Sequence, residues 1–259
     1  MKILVCLKQV PDTQDIKWTE KGTMIREGVE SIINPYDEYA LEYALEIKEK
    51  FPETKVTALS MGPLQAKSLL KVAIAKGADD AILACDKKFA GADTFATSMT
   101  LAQTIKTFAP DFDLILCGQF AIDGDTAQTA PSLAQHLDIP SVTFVKEIIN
   151  TEKTKLIVQR ETDEGFIDAE ISLPAVVSVL RKEQDTQNYT IKGYLKACET
   201  EIKIVNKDDI KIDENFIGFK GSPTYVAKSF PPNFERKSEK IEASTILSII
   251  KEKTMEGKQ

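Results

Sequence analysis

From the N-terminus to about residue 140, short apolar runs alternate with longer segments whose apolar positions recur every three or four residues. Lys2 to Leu7, Val56 to Met61, Ala81 to Cys85 and Leu114 to Cys117 read as buried strands, each an apolar run lacking the polar alternation of a sheet that is wet on one face. Asn34-Pro35-Tyr36-Asp37 predicts a helix start, with Asn34 as the cap, Pro35 at the first helical position and acidic residues in the first turn. Ala40, Leu41, Ala44, Leu45 and Ile47 form its expected buried face. Gly62-Pro63 leads into a second helix from about Leu64 to Lys76, stopped by Gly77, and Gly91-Ala92-Asp93-Thr94 leads into a third over about Thr94 to Phe108. A fourth runs to about Leu137. Between the first strand and the first helix, a polar segment from Asp12 to Glu30 carries Trp18 and the turn Glu20-Lys21-Gly22-Thr23, and reads as a hairpin or flap over the strand end.

This alternation predicts an α/β fold, an open, doubly wound, mostly parallel sheet with helices on both faces. The strand-to-helix turns at residues 8–12, 61–63, 90–94 and 118–125 then emerge at the carboxyl edge of one sheet, where open α/β sheets bind ligands. After Pro140 the pattern changes. Ser141 to Ile148, Lys155 to Arg160, Phe166 to Leu173 and Val176 to Leu180 are successive strand-like runs with charged turns, expected to extend the sheet in antiparallel fashion. From Arg181 onward the chain is polar and weakly periodic, interrupted by Gly218, Gly221-Ser222-Pro223 and Pro231-Pro232, and reads as a partner-wrapping arm or a disordered tail. The expected division is therefore 1–181 and 182–259, with a short helix within Ala243 to Ile250.

The chemistry concentrates after the fourth strand. Ala121-Ile122-Asp123-Gly124-Asp125-Thr126-Ala127-Gln128-Thr129-Ala130-Pro131 is a polar turn centred on glycine that opens into a helix. Asp125 and Gln128 fit a capping box, which puts the helix start at Thr126 with free N–H groups toward the turn. Such an end suits a phosphate, which Thr126, Gln128 and Thr129 can also donate to; as an alternative, the turn is a plain capped helix. Asp123 and Asp125 would repel a phosphate, so their expected role is to orient the turn.

Composition narrows the field. A chain of 259 residues with 42% hydrophobic content can bury a large core, as one α/β domain with an appendage or two small domains. A net charge of −7 excludes nucleic acid as the expected partner, since that binding rests on phosphate neutralisation by Lys and Arg. No apolar run is long enough to cross a bilayer, and Met1 runs almost directly into a strand, so neither membrane insertion nor a signal peptide is expected. Cys6, Cys85, Cys117 and Cys198 are widely spaced, without a Cys-x-x-Cys pair, as reduced thiols of a cytoplasmic protein would be. With His136 as the only histidine, a histidine-based metal site or a Ser-His-Asp triad has little to build on.

Taken in order, Val5-Cys6-Leu7-Lys8-Gln9-Val10-Pro11-Asp12, Asn34-Pro35-Tyr36-Asp37, the loop Ala121 to Pro131 and Gly221-Ser222-Pro223-Thr224 resemble the β subunits of electron transfer flavoproteins, over nearly the whole chain. The resemblance implies a heterodimer with an α subunit that carries an FAD, and an adenine-nucleotide site in this chain. That site would comprise Cys6, Asn34, Pro35, Tyr36, Asp37, Met61, and the run Ala121, Ile122, Asp123, Gly124, Asp125, Thr126, Ala127, Gln128, Thr129, Ala130, Pro131 and Ser132. Residues 1–181 would form the nucleotide-binding or flavin-binding domain, and 182–259 a recognition loop and an arm contacting the α subunit.

The family has two types. One holds AMP in the β subunit. The other holds a second FAD there, takes hydride from NADH and splits the electron pair between a low-potential acceptor such as ferredoxin and an acyl-CoA dehydrogenase or reductase. Asp123 to Gln128, together with Gly91, Ala92, Asp93 and Thr94, resemble the second, bifurcating type; the latter four are either a nicotinamide contact or an ordinary loop and helix cap. The flavin performs the redox step, so no acid, base or nucleophile is assigned. Two departures stand out. Gln119-Phe120 replaces a basic residue and a glutamine, and Ala90 replaces a frequent glycine. Tyr189 to Ala197 is similar to the family's dehydrogenase recognition loop, with Ile191 in the place of the apolar anchor on an exposed loop. The competing readings are a non-bifurcating carrier with structural AMP and, from another class, a self-contained nucleotide-binding module similar to universal stress proteins.

Overall fold

The computed structural model describes residues 1–12, 17–18, 24–25, 31–183, 186–227 and 245–250. Strands β1 (Lys2–Cys6) and β2 (Gln9–Pro11) are followed by β3 (Lys17–Trp18), β4 (Met24–Ile25) and β5 (Ser31–Ile33). β3 pairs antiparallel with β4 and β2 with β5, as the expected hairpin requires; its turn, Glu20 to Thr23, lies outside the described residues. Then come α1 (Pro35–Lys50), β6 (Lys55–Met61), α2 (Lys67–Lys76), β7 (Asp80–Ala84), α3 (Thr94–Phe108), β8 (Leu114–Gly118) and α4 (Thr129–Leu137). The third expected helix is met at both ends, because Asp93 accepts a hydrogen bond from Ala96 N at 3.0 Å and caps it.

β9 (Ser141–Thr151), β10 (Lys155–Thr162), β11 (Gly165–Ser172), β12 (Ala175–Val179), α5 (Ile191–Glu199), β13 (Lys203–Val205), α6 (Lys207–Ile210) and α7 (Gly218–Gly221) complete the order. One nine-stranded sheet runs β11-β10-β9-β12-β8-β1-β6-β7-β13. Its centre is parallel and helices cover both faces, which makes it α/β and doubly wound. Ile3, Val5 and Leu7 face one core with residues of α1, α2 and α5, while Leu4 and Cys6 face the other with residues of α3, α4 and α6.

The antiparallel extension is shorter than expected. β9, β10 and β11 form an antiparallel meander, but β12 inserts between β8 and β9 and runs parallel to both. All five residues of β12 are buried, which suits an uninterrupted apolar strand at the centre of a covered sheet. The chain beyond Arg181 also returns to the fold: β13 pairs parallel with β7 and forms that edge of the sheet, so residues 203–205 are neither loose arm nor tail. Among the described residues, no helix is long and apolar enough to cross a membrane.

Candidate functional site

The parallel strands β1, β6, β7 and β8 all end at one edge, and the turns leaving them form the site. α1 is its organiser. Asn34 is 1% exposed, and its side chain does not cap α1, contrary to the sequence reading. Its Nδ2 donates to Phe120 O at 2.9 Å, and its Oδ1 accepts from Ile122 N at 3.2 Å. A single amide thus matches two backbone groups of the loop after β8. The cap fails because both ends of the amide are engaged by that loop, while backbone bonds from Asp37 and Glu38 to Asn34 O start the helix.

Three residues on, Asp37 accepts hydrogen bonds from Lys8 N at 2.7 Å and Gly118 N at 3.1 Å, gathering the ends of β1 and β8 onto the first turn of α1. The approach explains the glycine, since a Cβ at residue 118 would lie 2.3 Å from Asp37 Oδ1. Gly118 is the last residue of β8. Burial pushes the Asp37 carboxyl up to about 7, against the lowering effect of its hydrogen bonds from Lys8, Asn34 and Gly118 and of the Lys8 charge. The Lys8 ammonium pairs with Asp123, so one of the loop's carboxylates is neutralised at its base. The ring of Tyr36 packs on Phe120 with centroids 4.3 Å apart.

The loop itself departs from the expected helix start. α4 begins at Thr129 rather than Thr126, and neither Asp125 nor Gln128 caps it with a side-chain hydrogen bond. The reason is backbone conformation: Asp125 and Ala127 have φ of 49° and 55°, left-handed values that a right-handed helix cannot include. Instead Gly124 N and Asp125 N both donate to Ala121 O, at 3.1 and 2.8 Å, closing a tight turn. Gly124, Asp125, Thr126 and Gln128 are exposed, and a Cβ at Gly124 would meet no protein atom within 4 Å. Ala121, Ile122, Asp123, Ala127, Thr129, Pro131 and Ser132 are partly buried, and Ala130 is buried. The Ser132 hydroxyl bonds that of Ser98 on α3 at 2.7 Å. Cys6 and Cys117 are register partners at the ends of β1 and β8; the hydrogen bond from Cys6 and burial push the Cys117 thiol up, so it is an inert neutral group beneath the site. Met61 ends β6 at the same edge. Gln119 is 2% exposed, with its Oε1 accepting from Phe144 N at 2.7 Å and Ser178 Oγ at 2.8 Å.

The Gly91 to Thr94 turn is drawn the other way. Asp93 accepts from Thr224 N and Thr224 Oγ1 at 3.0 and 2.7 Å, its own N donates to Ser222 Oγ at 2.8 Å, and Phe219 N donates to Ala90 O at 3.0 Å. Burial opposes ionisation of Asp93, but the bonds from Ala96 and Thr224 outweigh it and hold the carboxyl below its usual range. Lys8 and Gly118 were missed as working residues in the sequence, although Lys8 lies within the motif Val5 to Asp12 and Gly118 directly precedes Gln119-Phe120. Among the described residues, no group of three or more His, Cys, Asp or Glu side chains could hold a metal ion.

A second surface lies on α5. Ile191 is 83% exposed, at the first helical position rather than on a loop, because the Thr190 hydroxyl accepts from Gly193 N at 3.0 Å and starts the helix. It is not isolated either. Tyr189, Tyr194 and Leu195 are exposed beside it, and the two tyrosine rings stack at 6.3 Å.

Against known proteins, residues 21–210 match the electron transfer flavoprotein domain. The chain is 46% identical over 241 residues to the electron transfer flavoprotein subunit beta of Thermoanaerobacterium thermosaccharolyticum, an alignment covering 92% of this chain and 91% of that one. It is 45% identical over 247 residues to the caffeyl-CoA reductase-Etf complex subunit CarD of Acetobacterium woodii, covering 95% and 94%. Identity to the acryloyl-CoA reductase electron transfer subunit gamma of Anaerotignum propionicum is 38% over 239 residues, covering 90% and 89%.

Proposed function

We propose that this chain, which belongs to the electron transfer flavoprotein family as a β-type subunit, binds FAD at the carboxyl edge of its sheet and passes electrons from NADH, by bifurcation, to ferredoxin and an acyl-CoA dehydrogenase or reductase. An α subunit completes the heterodimer. Two of the relatives take their names from reductases of caffeyl-CoA and acryloyl-CoA, which supports an acyl-CoA reductase as the high-potential partner. When bound, a flavin supplies hydride acceptance and one-electron transfer, chemistry that no side chain here provides.

The residues fit an adenine nucleotide. Gly124 to Gln128 offers exposed backbone, hydroxyl and amide groups around a position that a side chain would otherwise fill, and the loop is fastened only at its base. Asn34 and Asp37 hold that base, and Lys8 neutralises Asp123, so an entering phosphate faces a fixed loop with one carboxylate already paired. The beginning of α4, at Thr129 to Ser132, adds the positive end of a helix dipole. Ile191 and its neighbours on α5 form the proposed dehydrogenase contact.

The observation that carries this reading is the Asn34 clamp on a loop that is open at Gly124. Its test is the nucleotide content of the heterodimer purified anaerobically. Two FAD per heterodimer, with NADH oxidised only when low-potential and high-potential acceptors are both present, is the expected result. One FAD and one AMP would replace it with the second reading, a simple electron carrier with structural AMP.

A further inference from the structure

Helix α5 poses a physical problem. At nine residues it is too short to persist in water by itself, and most of its apolar side chains point the wrong way to hold it. Ala197 alone on α5 is buried, while Ile191, Tyr194 and Leu195 are exposed. Polar and backbone contacts must therefore fix it, and they converge on α2. Gly193 lies so close to α2 that a Cβ there would come within 2.0 Å of Ala75 O. Lys71 Nζ donates to Ala197 O, Cys198 O and Thr200 O, the last two at 3.3 and 2.6 Å, which are carbonyls left free by the end of the helix. A cation there also complements the negative end of the helix dipole. Lys196 Nζ donates to Ala78 O at 2.9 Å from the α5 side. Before the helix, Lys76 Nζ donates to Thr186 Oγ1 at 3.2 Å while paired with Glu38 at 3.1 Å.

We infer that Lys71 is a positioning residue for this docking helix, gripping the C-terminal carbonyls of α5 so that the aromatic pair and Ile191 are presented to an acyl-CoA dehydrogenase or reductase in one fixed arrangement. The inference rests on the docking role proposed above. Fixing the helix in advance removes ordering cost from binding, so the grip is read as affinity. Lys192 lies beside the apolar set and suits a partner pocket that is apolar inside and acidic at its rim.

The test compares the intact heterodimer with its Lys71→Met, Lys71→Arg and Ile191→Asp variants, titrated with a purified acyl-CoA dehydrogenase of the same organism. For Lys71→Met the dissociation constant should rise about tenfold, with kcat at saturating dehydrogenase and nucleotide content unchanged. Amide hydrogen exchange in α5 should accelerate, and Lys71→Arg should restore both affinity and protection. If Ile191→Asp abolishes binding while Lys71→Met leaves affinity intact, the positioning role is wrong and the docking role stands. Unaltered binding in Ile191→Asp instead removes the docking role itself. A Lys71→Met protein that loses nucleotide and melts early in proportion to its weaker binding would make Lys71 merely structural, and overturn the inference.

Discussion

The carboxylate of Asp37 stands 3.1 Å from the amide nitrogen of Gly118, joining the first turn of a helix to the end of a strand 81 residues further along the chain. Its other oxygen takes the N–H of Lys8. Burial outweighs these bonds and raises the carboxyl from 3.8 to about 7. A folded-state pKa above the unfolded one means that the native protein binds more protons between those values, so the contribution of Asp37 to stability is fully present below about 4 and is lost as pH rises through about 7. Asp37→Asn should abolish this part of the slope. Thermal unfolding of both proteins from pH 4 to 8 checks it; parallel profiles would show that Asp37 is ionised throughout.

Asn34→Ala removes both bonds to the loop and leaves Phe120 O and Ile122 N without their partner. The expected loss is about 1–3 kcal/mol of stability, as for a buried polar group stripped of its hydrogen bonds. Because the side chain does not cap α1, helix content should stay constant. Circular dichroism and chemical denaturation, with and without added nucleotide, separate the two: a loss of helix with an intact loop would reverse the assignment.

Gly124→Val probes the open position of the cradle. The new side chain meets no protein atom at its Cβ, so the fold should be retained while phosphate approach is blocked. Purified heterodimer carrying this change should release little or no nucleotide on denaturation. Full nucleotide content in a correctly assembled variant would place the phosphates elsewhere.

Ile191→Ala should weaken dehydrogenase binding by about tenfold to a hundredfold, from about 1.5–3 kcal/mol of apolar burial in the partner. Melting should be nearly unaffected, because the residue is 83% exposed in this chain. The informative contrary outcome is a lower melting temperature with unimpaired binding.

The parallel core was legible because burial on both faces writes itself as unbroken apolar runs, and α3 was legible because Asp93 caps its own helix. The loop was harder. Asp125 and Gln128 have the right residue types for a cap, yet left-handed backbone at Asp125 and Ala127 is imposed by the turn, and side-chain chemistry does not encode it. Asn34 misled for a related reason: its local role as a cap and its distant role on Phe120 and Ile122 call for the same amide. The placement of β12 depends on strand order, yet its run of apolar residues, unlike the alternation in β10, was the available sign that it lies at the sheet centre. Nothing local announced β13, which is three residues long and takes its place from β7.

That late strand bears on how the chain comes off the ribosome. Ile82, Leu83 and Ala84 pair with Lys203, Ile204 and Val205, residues synthesised more than a hundred positions later. Until they emerge, one side of β7 presents bare backbone N–H and C=O groups, a ready template for another copy of the nascent protein. A fragment ending near residue 181 would keep that side open permanently. Its expected fate is aggregation, however complete its nucleotide loop.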